Sequence, residues 1–343
     1  MTQVRPLLLT MGDAAGIGPE IIAAAARQGE LQDAVVFADP AVLRRAADLL
    51  GGVGPIVVLD APLDPAPPGC LRLCRVAGLP QGLATLPWGR VDARAGAAAA
   101  RCIEAAVAAL QAGQGRAVVT APIHKSALAA AGVPYPGHTE MLQALAAPAG
   151  GPLPPVRMML ANAQLRVVLV TIHLALRDAI AALDFDAVLS TIRIAHAAAL
   201  QAGAAAPRIA VAGLNPHAGE DGLFGDEEIR FIAPAVQAAR AQGIDASGPH
   251  PPDTVFMRAR RGAFDLVVAM THDYGLIPVK YLGVEDGVNV TLGLPFVRTS
   301  PDHGTAFDIA GRGQADPASL VAALRLARKL AGPAQATAPT AAS

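Results

Sequence analysis

The sequence predicts an α/β protein built on a mostly parallel sheet covered by helices, and three observations predict it. Apolar runs of strand length alternate with alanine-rich segments of helical character. Four of these runs stop abruptly and are followed at once by polar clusters: Thr120-Ala-Pro-Ile-His-Lys125, Thr171-Ile-His173, Asn215-Pro-His217 and Thr271-His-Asp273. The chain has 343 residues, enough for two lobes or one large α/β unit. Aromatic residues make up only 3% of it, so the core must be assembled from Ala, Val, Leu and Ile.

The elements follow in order. Arg5–Met11 reads as a first strand, and Pro19–Gln28 as a helix with proline in its first turn. Ala34–Ala38 is a second strand, followed by a helix over Pro40–Leu50. Ala61–Gly69 is a proline-rich loop, and Val91–Ala112 a long helix of high intrinsic propensity. Strands are expected at Ala117–Thr120, Arg166–Thr171, Arg208–Ala212 and Asp265–Met270. Helices fit Glu140–Ala146, Phe185–Gln201, Asp226–Gln242 and Pro317–Leu330. Pro148–Pro155 reads as a connection between structural units, and Gly332–Ser343 as a low-complexity disordered tail.

Composition excludes several function classes. A net charge of −1 gives no electrostatic reason to expect nucleic acid or a membrane surface as partner. No apolar run reaches the roughly 18 residues of a membrane span, and the first residues lack a signal-peptide layout. Cys70, Cys74 and Cys102 are odd in number and lack zinc-ribbon spacing, so reduced thiols in a cytoplasm are expected.

The polar residues concentrate between Met270 and Gly313, in a chain where only 16% of residues are charged. The carboxyl ends of parallel strands form the ligand crevice of open sheets, so the four polar clusters are expected to converge. His173, His217 and His272 follow strands and supply three neutral imidazoles suited to Zn²⁺, Co²⁺ or another divalent ion with open positions for substrate. The competing reading makes each a hydrogen-bonded loop histidine. His124 is a fourth ligand or, beside Lys125, a substrate contact; His196 lies in an alanine-rich helix and reads as structural.

Gly137-His-Thr-Glu140 precedes a helix, with Thr139 as its expected N-cap and free N–H groups favouring a phosphate. Lys280, Asn289 and Arg298 supply the cations and amide that fix a phosphate and a carboxylate. Two glycine-rich elements compete for a dinucleotide. Met11–Pro19 lacks the G-x-G-x-x-G spacing and reads as a tight strand–helix turn with Asp13 near the crevice. His303–Gly313 is suited to wrap an adenosine, with Asp308 available for ribose hydroxyls. A three-histidine metallohydrolase and a non-catalytic phosphosugar-binding protein are the rival classes, and neither needs an adenosine cradle.

The motifs MGDAAGIGPEI, TAPIHK, GHTE, GLNPHAGEDGLFGDEE, PPDTVF, MTHD and NVTLGLPFVRTSPDHGTAFDIAGRG, in order from about Leu7 to Leu330, closely resemble the 4-hydroxythreonine-4-phosphate dehydrogenase family, which makes a pyridoxal phosphate precursor. HGTAFDIAGRGQADP is also similar to the adenosine loop of isopropylmalate and isocitrate dehydrogenases. The resemblance implies their fold, two α/β/α lobes with a cleft between them. It places a first lobe at 1–125 plus 285–331, carrying the cofactor loop, and a second at 126–284, with metal ligands and dimer contacts. It implies a homodimer with the site at the interface, NAD (or NADP), and one divalent ion (Zn, Co or Mg). The metal falls on His173, His217 and His272; the substrate on His138, Thr139, Lys280, Asn289 and Arg298; the cofactor on His303, Gly304, Thr305, Ala306 and Asp308. The implied reaction oxidises a secondary alcohol and then releases CO₂, with Lys280 or Asp273 as base. Thr271, Tyr274, Ile172-His-Leu-Ala-Leu176 and His250 depart from the usual pattern. The last two features are similar to a branch acting on 4-phosphorylated threonate or erythronate.

Overall fold

The computed structural model describes residues 4–148, 150–283 and 286–332. The chain divides into two compact units, 1–154 with 294–343, and 155–293.

The first unit opens with strand β1 (Leu7–Thr10), helix α1 (Gly18–Arg27), β2 (Ala34–Phe37), α2 (Pro40–Leu49), β3 (Ile56–Leu59) and β4 (Leu71–Cys74). It continues with α3 (Ala93–Gln111), β5 (Ala117–Thr120), α4 (Lys125–Ala130) and α5 (His138–Ala146). The second unit holds β6 (Arg157–Ala161), β7 (Arg166–Leu169), α6 (Leu176–Ala181), α7 (Phe185–Gln201), β8 (Ile209–Ala212), α8 (Ala233–Ala241), β9 (Ala246–His250), α9 (Pro252–Arg260), β10 (Leu266–Ala269), α10 (His272–Tyr281) and β11 (Val288–Leu292). The chain then returns to the first unit for β12 (Arg298–Pro301) and α11 (Ala318–Leu330).

In the first unit the strands run β3-β4-β2-β1-β5-β12, all parallel. β1 and β5 are buried throughout, which is why their sequences LLLT and AVVT are nearly continuous apolar runs. Strand order reverses direction between them, so their carboxyl ends form a topological switch point, with Thr10 opposite Thr120. Helices α4 and α5 belong to this unit, whereas the expected lobe boundary lay at residue 125. Gly96 of α3 explains the attachment: a Cβ there would lie 2.1 Å from the Ala127 carbonyl oxygen, so only glycine lets α4 press against α3.

In the second unit the order is β11-β6-β7-β10-β8-β9. β6 is antiparallel to both neighbours, while β7, β10, β8 and β9 run parallel. Three of the expected polar clusters therefore leave adjacent strands β7, β10 and β8 at the same edge. Gly275 lets α10 lie close over this sheet, because a Cβ there would stand 2.3 Å from Leu169 Cδ2. No helix among the described residues is long and apolar enough to cross a membrane. Cys70, Cys74 and Cys102 are free.

Candidate functional site

At the switch point of the first unit, three side chains expected to bind ligand or line the crevice gather from β5, α5 and β12: Thr120, His138 and Arg298. Arg298 is only 3% exposed and its Nη2–H donates to Thr120 Oγ1 at 2.7 Å. Burial lowers its pKa to about 10, still charged at neutral pH. His138 starts α5 and stays neutral: burial, and then the positive charge of Arg298, push its pKa well below the ordinary value. Its Nε2 is buried without a hydrogen-bond partner. A buried cation beside an orphaned imidazole nitrogen is chemically suited to an oxyanion such as a phosphate or carboxylate. Thr139 does not cap α5 as expected. Gly137 holds the N-cap position with an extended backbone, and the helix begins at His138, which leaves Thr139 inside the first turn.

Asp13, in the turn that follows β1, is fully buried. Its Oδ1 accepts from the Ala15 amide at 2.8 Å, its own N–H donates to Pro122 O at 2.9 Å, and its Oδ2 has no partner. Burial raises its pKa to about 6; the Ala15 amide and His124 pull downward and Asp92 adds to the rise. Between the unfolded value near 3.8 and 6 the folded protein binds the extra proton, so ionisation costs stability as pH rises through this window. Asp13→Asn is expected to raise stability by on the order of 2 kcal/mol near pH 8 and by nothing below about pH 4. Urea unfolding of both proteins at the two pH values measures this; an equal difference at both would refute it.

The two glycine-rich elements of the sequence are packed on each other. Residues 11–17 form the expected strand–helix turn, and the Ile17 amide donates to Thr305 O at 3.0 Å. Gly16 has no room for a Cβ, which would stand 2.9 Å from Thr305 Cβ. Thr305 is thus 7% exposed and turned inward, and Ala306 takes a positive φ of 41°. His303, Gly304 and Asp308 face outward, with His303 Nδ1 3.0 Å from Gly304 O. Phe307 stacks on His124 with ring centroids 4.6 Å apart, and His124 Nδ1 is buried and unpartnered. Orphaned buried atoms on Asp13 and His124, in segments packed against this loop, suit a polar ligand such as a dinucleotide.

In the second unit His173 and His272 come together, with ring centroids 5.7 Å apart. The ends of β7 and β10 bring them there: Thr171 Oγ1–H and the Thr171 amide both donate to Met270 O. His272 opens α10, and its Nδ1 lies 2.7 Å from Asp273 Oδ1. A carboxylate on Nδ1 fixes the ring and leaves Nε2 for a ligand, the usual arrangement of a metal-binding histidine. Two of the three expected ligands therefore stand side by side. His217 does not join them; among the described residues no three or more His, Cys, Asp or Glu side chains group closely enough to hold a metal ion.

The backbone that carries His217, after β8, is unusual. His217, Ala218, Glu220 and Asp221 all adopt positive φ, a left-handed turn that costs L-residues about 1–2 kcal/mol each. Glu228, 3% exposed, holds the turn in place: Oε1 accepts from the Leu214 and Asn215 amides at 2.7 and 2.8 Å, and Oε2 from Asn215 Nδ2 at 2.8 Å. The turn seats His217 beside Phe224 and on a cavity of about 410 Å³ shared with Asp253, Asp273 and Tyr274. Asp253 and Glu228 went unread in the sequence as site residues, although PPDTVF and GDEE sit in conspicuous motifs.

Lys280 and Asn289 also belong to the second unit. Lys280 is exposed in the last turn of α10, about 12 Å from His272 along the helix at 1.5 Å per residue. Within one chain, then, the structure does not join Lys280 to the paired imidazoles. Asn289 is half-buried in β11, opposite Leu160.

The chain is similar to known proteins over almost its whole length. A 4-hydroxythreonine-4-phosphate dehydrogenase of Beijerinckia indica is 56% identical over 331 residues, 96% of each chain. A D-threonate 4-phosphate dehydrogenase of Pectobacterium atrosepticum is 47% identical over 332 residues, 95% of this chain and 99% of the relative. The crystal structure of a 4-hydroxythreonine-4-phosphate dehydrogenase from Klebsiella pneumoniae superposes with a TM-score of 0.87 at 44% identity, covering 96% of this chain and 99% of that one. The sequence model described as pyridoxal phosphate biosynthetic protein PdxA matches residues 30–327, and the chain belongs to that family.

Proposed function

We propose that this protein oxidises and decarboxylates 4-phosphooxy-L-threonine to 3-amino-2-oxopropyl phosphate, a step of pyridoxal phosphate biosynthesis in the cytoplasm. Family membership makes it an NAD(P)-dependent dehydrogenase. The observation that carries the substrate assignment is the buried Arg298 beside His138, an anion site at the sheet's switch point. Arg298 and His138 would hold the phosphate or carboxylate, and Thr139, Lys280 and Asn289 are the further substrate residues that the family resemblance implies. NAD (or NADP) on His303, Gly304, Thr305, Ala306 and Asp308 supplies the hydride acceptor. A Zn²⁺, Co²⁺ or Mg²⁺ ion would be held by the paired His173 and His272, with His217 as the third ligand that the family resemblance implies, and would supply a Lewis acid.

Asp273 holds the His272 ring and is the nearer of the two candidate bases to the paired imidazoles. Lys280 would meet the same centre from a second copy of the chain. Exposed apolar side chains flank all three candidate ligands: Leu174 and Leu176 near His173, Leu223 and Phe224 near His217, Ile277 and Tyr281 on α10. Such a surface supports a homodimer that completes the site.

The D-threonate relative supports a second reading, in which the substrate carries a hydroxyl in place of the amine: 4-phospho-D-threonate or 4-phospho-D-erythronate. Steady-state kinetics on the amino and hydroxy substrates side by side decide between them. The first reading expects kcat/KM for 4-phosphooxy-L-threonine to exceed that for the phospho-sugar acids by about tenfold or more. The reverse order transfers the protein to the second.

A further inference from the structure

Glu20 sits in the first turn of α1 and is 1% exposed, yet its carboxylate serves another segment. It accepts the backbone N–H groups of Gly311 and, at 3.1 Å, Gly313. Both glycines have positive φ, 79° and 65°, a conformation that turns neighbouring amides toward one anion. The anion cradle at the end of the 303–313 loop is therefore filled from within the protein.

A second set of contacts fixes the same stretch. Trp88 packs so closely on Gly311 that a Cβ there would lie 2.4 Å from the indole Cγ. Arg45 lies over the Trp88 ring at 3.7 Å and donates to the carbonyls of Ala84 and Leu86 at 3.1 and 2.8 Å. Its charge also interacts with the Glu20 carboxylate. Gly89 donates its amide to Ala15 O at 2.8 Å and lies against the Phe307 carbonyl.

The geometry points to Glu20 as a positioning residue for cofactor binding: by occupying the cradle at Gly311 and Gly313 it locks residues 303–308 in the form that receives the dinucleotide. This rests on the reading that residues 303–308 hold NAD. A carboxylate bound by two amides is a charge-assisted clamp, and glutamine in its place has a neutral oxygen that accepts more weakly.

Trp88 is the only tryptophan of the chain, so its emission reports on the clamp directly. The experiment titrates NAD⁺ into wild type, Glu20→Gln, Gly313→Ala and Asp308→Ala, following Trp88 fluorescence, and pairs each titration with steady-state kinetics. Gly313→Ala is the independent variant: it keeps the carboxylate and opposes only the positive φ, in a place where a Cβ meets nothing closer than 3.5 Å. Glu20→Gln and Gly313→Ala are expected to raise Kd and KM for NAD⁺ about tenfold, while kcat at saturating NAD⁺ and KM for the phosphorylated substrate stay within about twofold. Asp308→Ala is expected to weaken NAD⁺ directly. If Asp308→Ala weakens NAD⁺ and the other two leave Kd unchanged, the proposal is overturned and the cofactor site stands. If none of the three changes Kd, both fall. A lowered melting temperature with unchanged Kd reduces Glu20 to a structural tie and overturns the proposal.

Discussion

Replacing His272 by alanine is expected to reduce bound divalent metal to under about a tenth of wild type and kcat/KM by about 10³-fold or more, with the fold retained. The imidazole stands at the start of α10, half-buried and paired with His173, so its removal opens space toward solvent rather than in the core. His173→Ala is expected to match it. Asp273→Asn keeps a hydrogen-bonding side chain on Nδ1 but removes the charge, and is expected to cost only about 10–100-fold. Metal analysis of the purified variants with circular dichroism checks all three. His217→Ala tests the third ligand separately: unchanged metal content would remove it from the set.

Arg298→Lys is expected to raise KM for the phosphorylated substrate by about 100-fold. Lysine keeps the charge but loses the planar fork that can hold Thr120 and an oxyanion together. Arg298→Met tests the electrostatics of the same site. Arg298 helps to hold His138 below its ordinary pKa, so removing the charge should let that pKa rise, although burial keeps it below the normal value. An NMR titration of His138 reads the change, and an unmoved pKa would mean that the two groups are not electrostatically coupled.

Much of the fold was legible because its strands are buried and its helices regular. The strand Ala117–Thr120 and the helix Phe185–Gln201 fall at the expected residues. Strands with weaker signals escaped. β9 has the sequence ASGPH, with little β propensity, and becomes a strand by pairing with β8. Helix α10 escaped because Gly275 and Pro278 lie inside it; Gly275 is there for contact with β7, which no local pattern reveals.

The candidate site was legible at the level of strand ends. The pairing of His173 with His272 follows from β7 and β10 being neighbours, and the gathering of Arg298, Thr120 and His138 from the position of β12 beside β5. Three details were not legible. The left-handed turn at 217–221 has four non-glycine residues around Gly219, residue types that do not announce a left-handed backbone. Capping at α5 depends on the backbone of Gly137. The separation of Lys280 from His272 follows only once α10 is known to be continuous. The expected disorder of the tail concerns residues that, after Gly332, lie outside the described ones.

Quantifying NADH and CO₂ together, with 4-phosphooxy-L-threonine as substrate, tests the proposed chemistry. One CO₂ is expected for each NADH, both lost on chelation and both restored by adding a divalent metal. NADH without CO₂, or turnover unaffected by a chelator that has removed all metal, would contradict it.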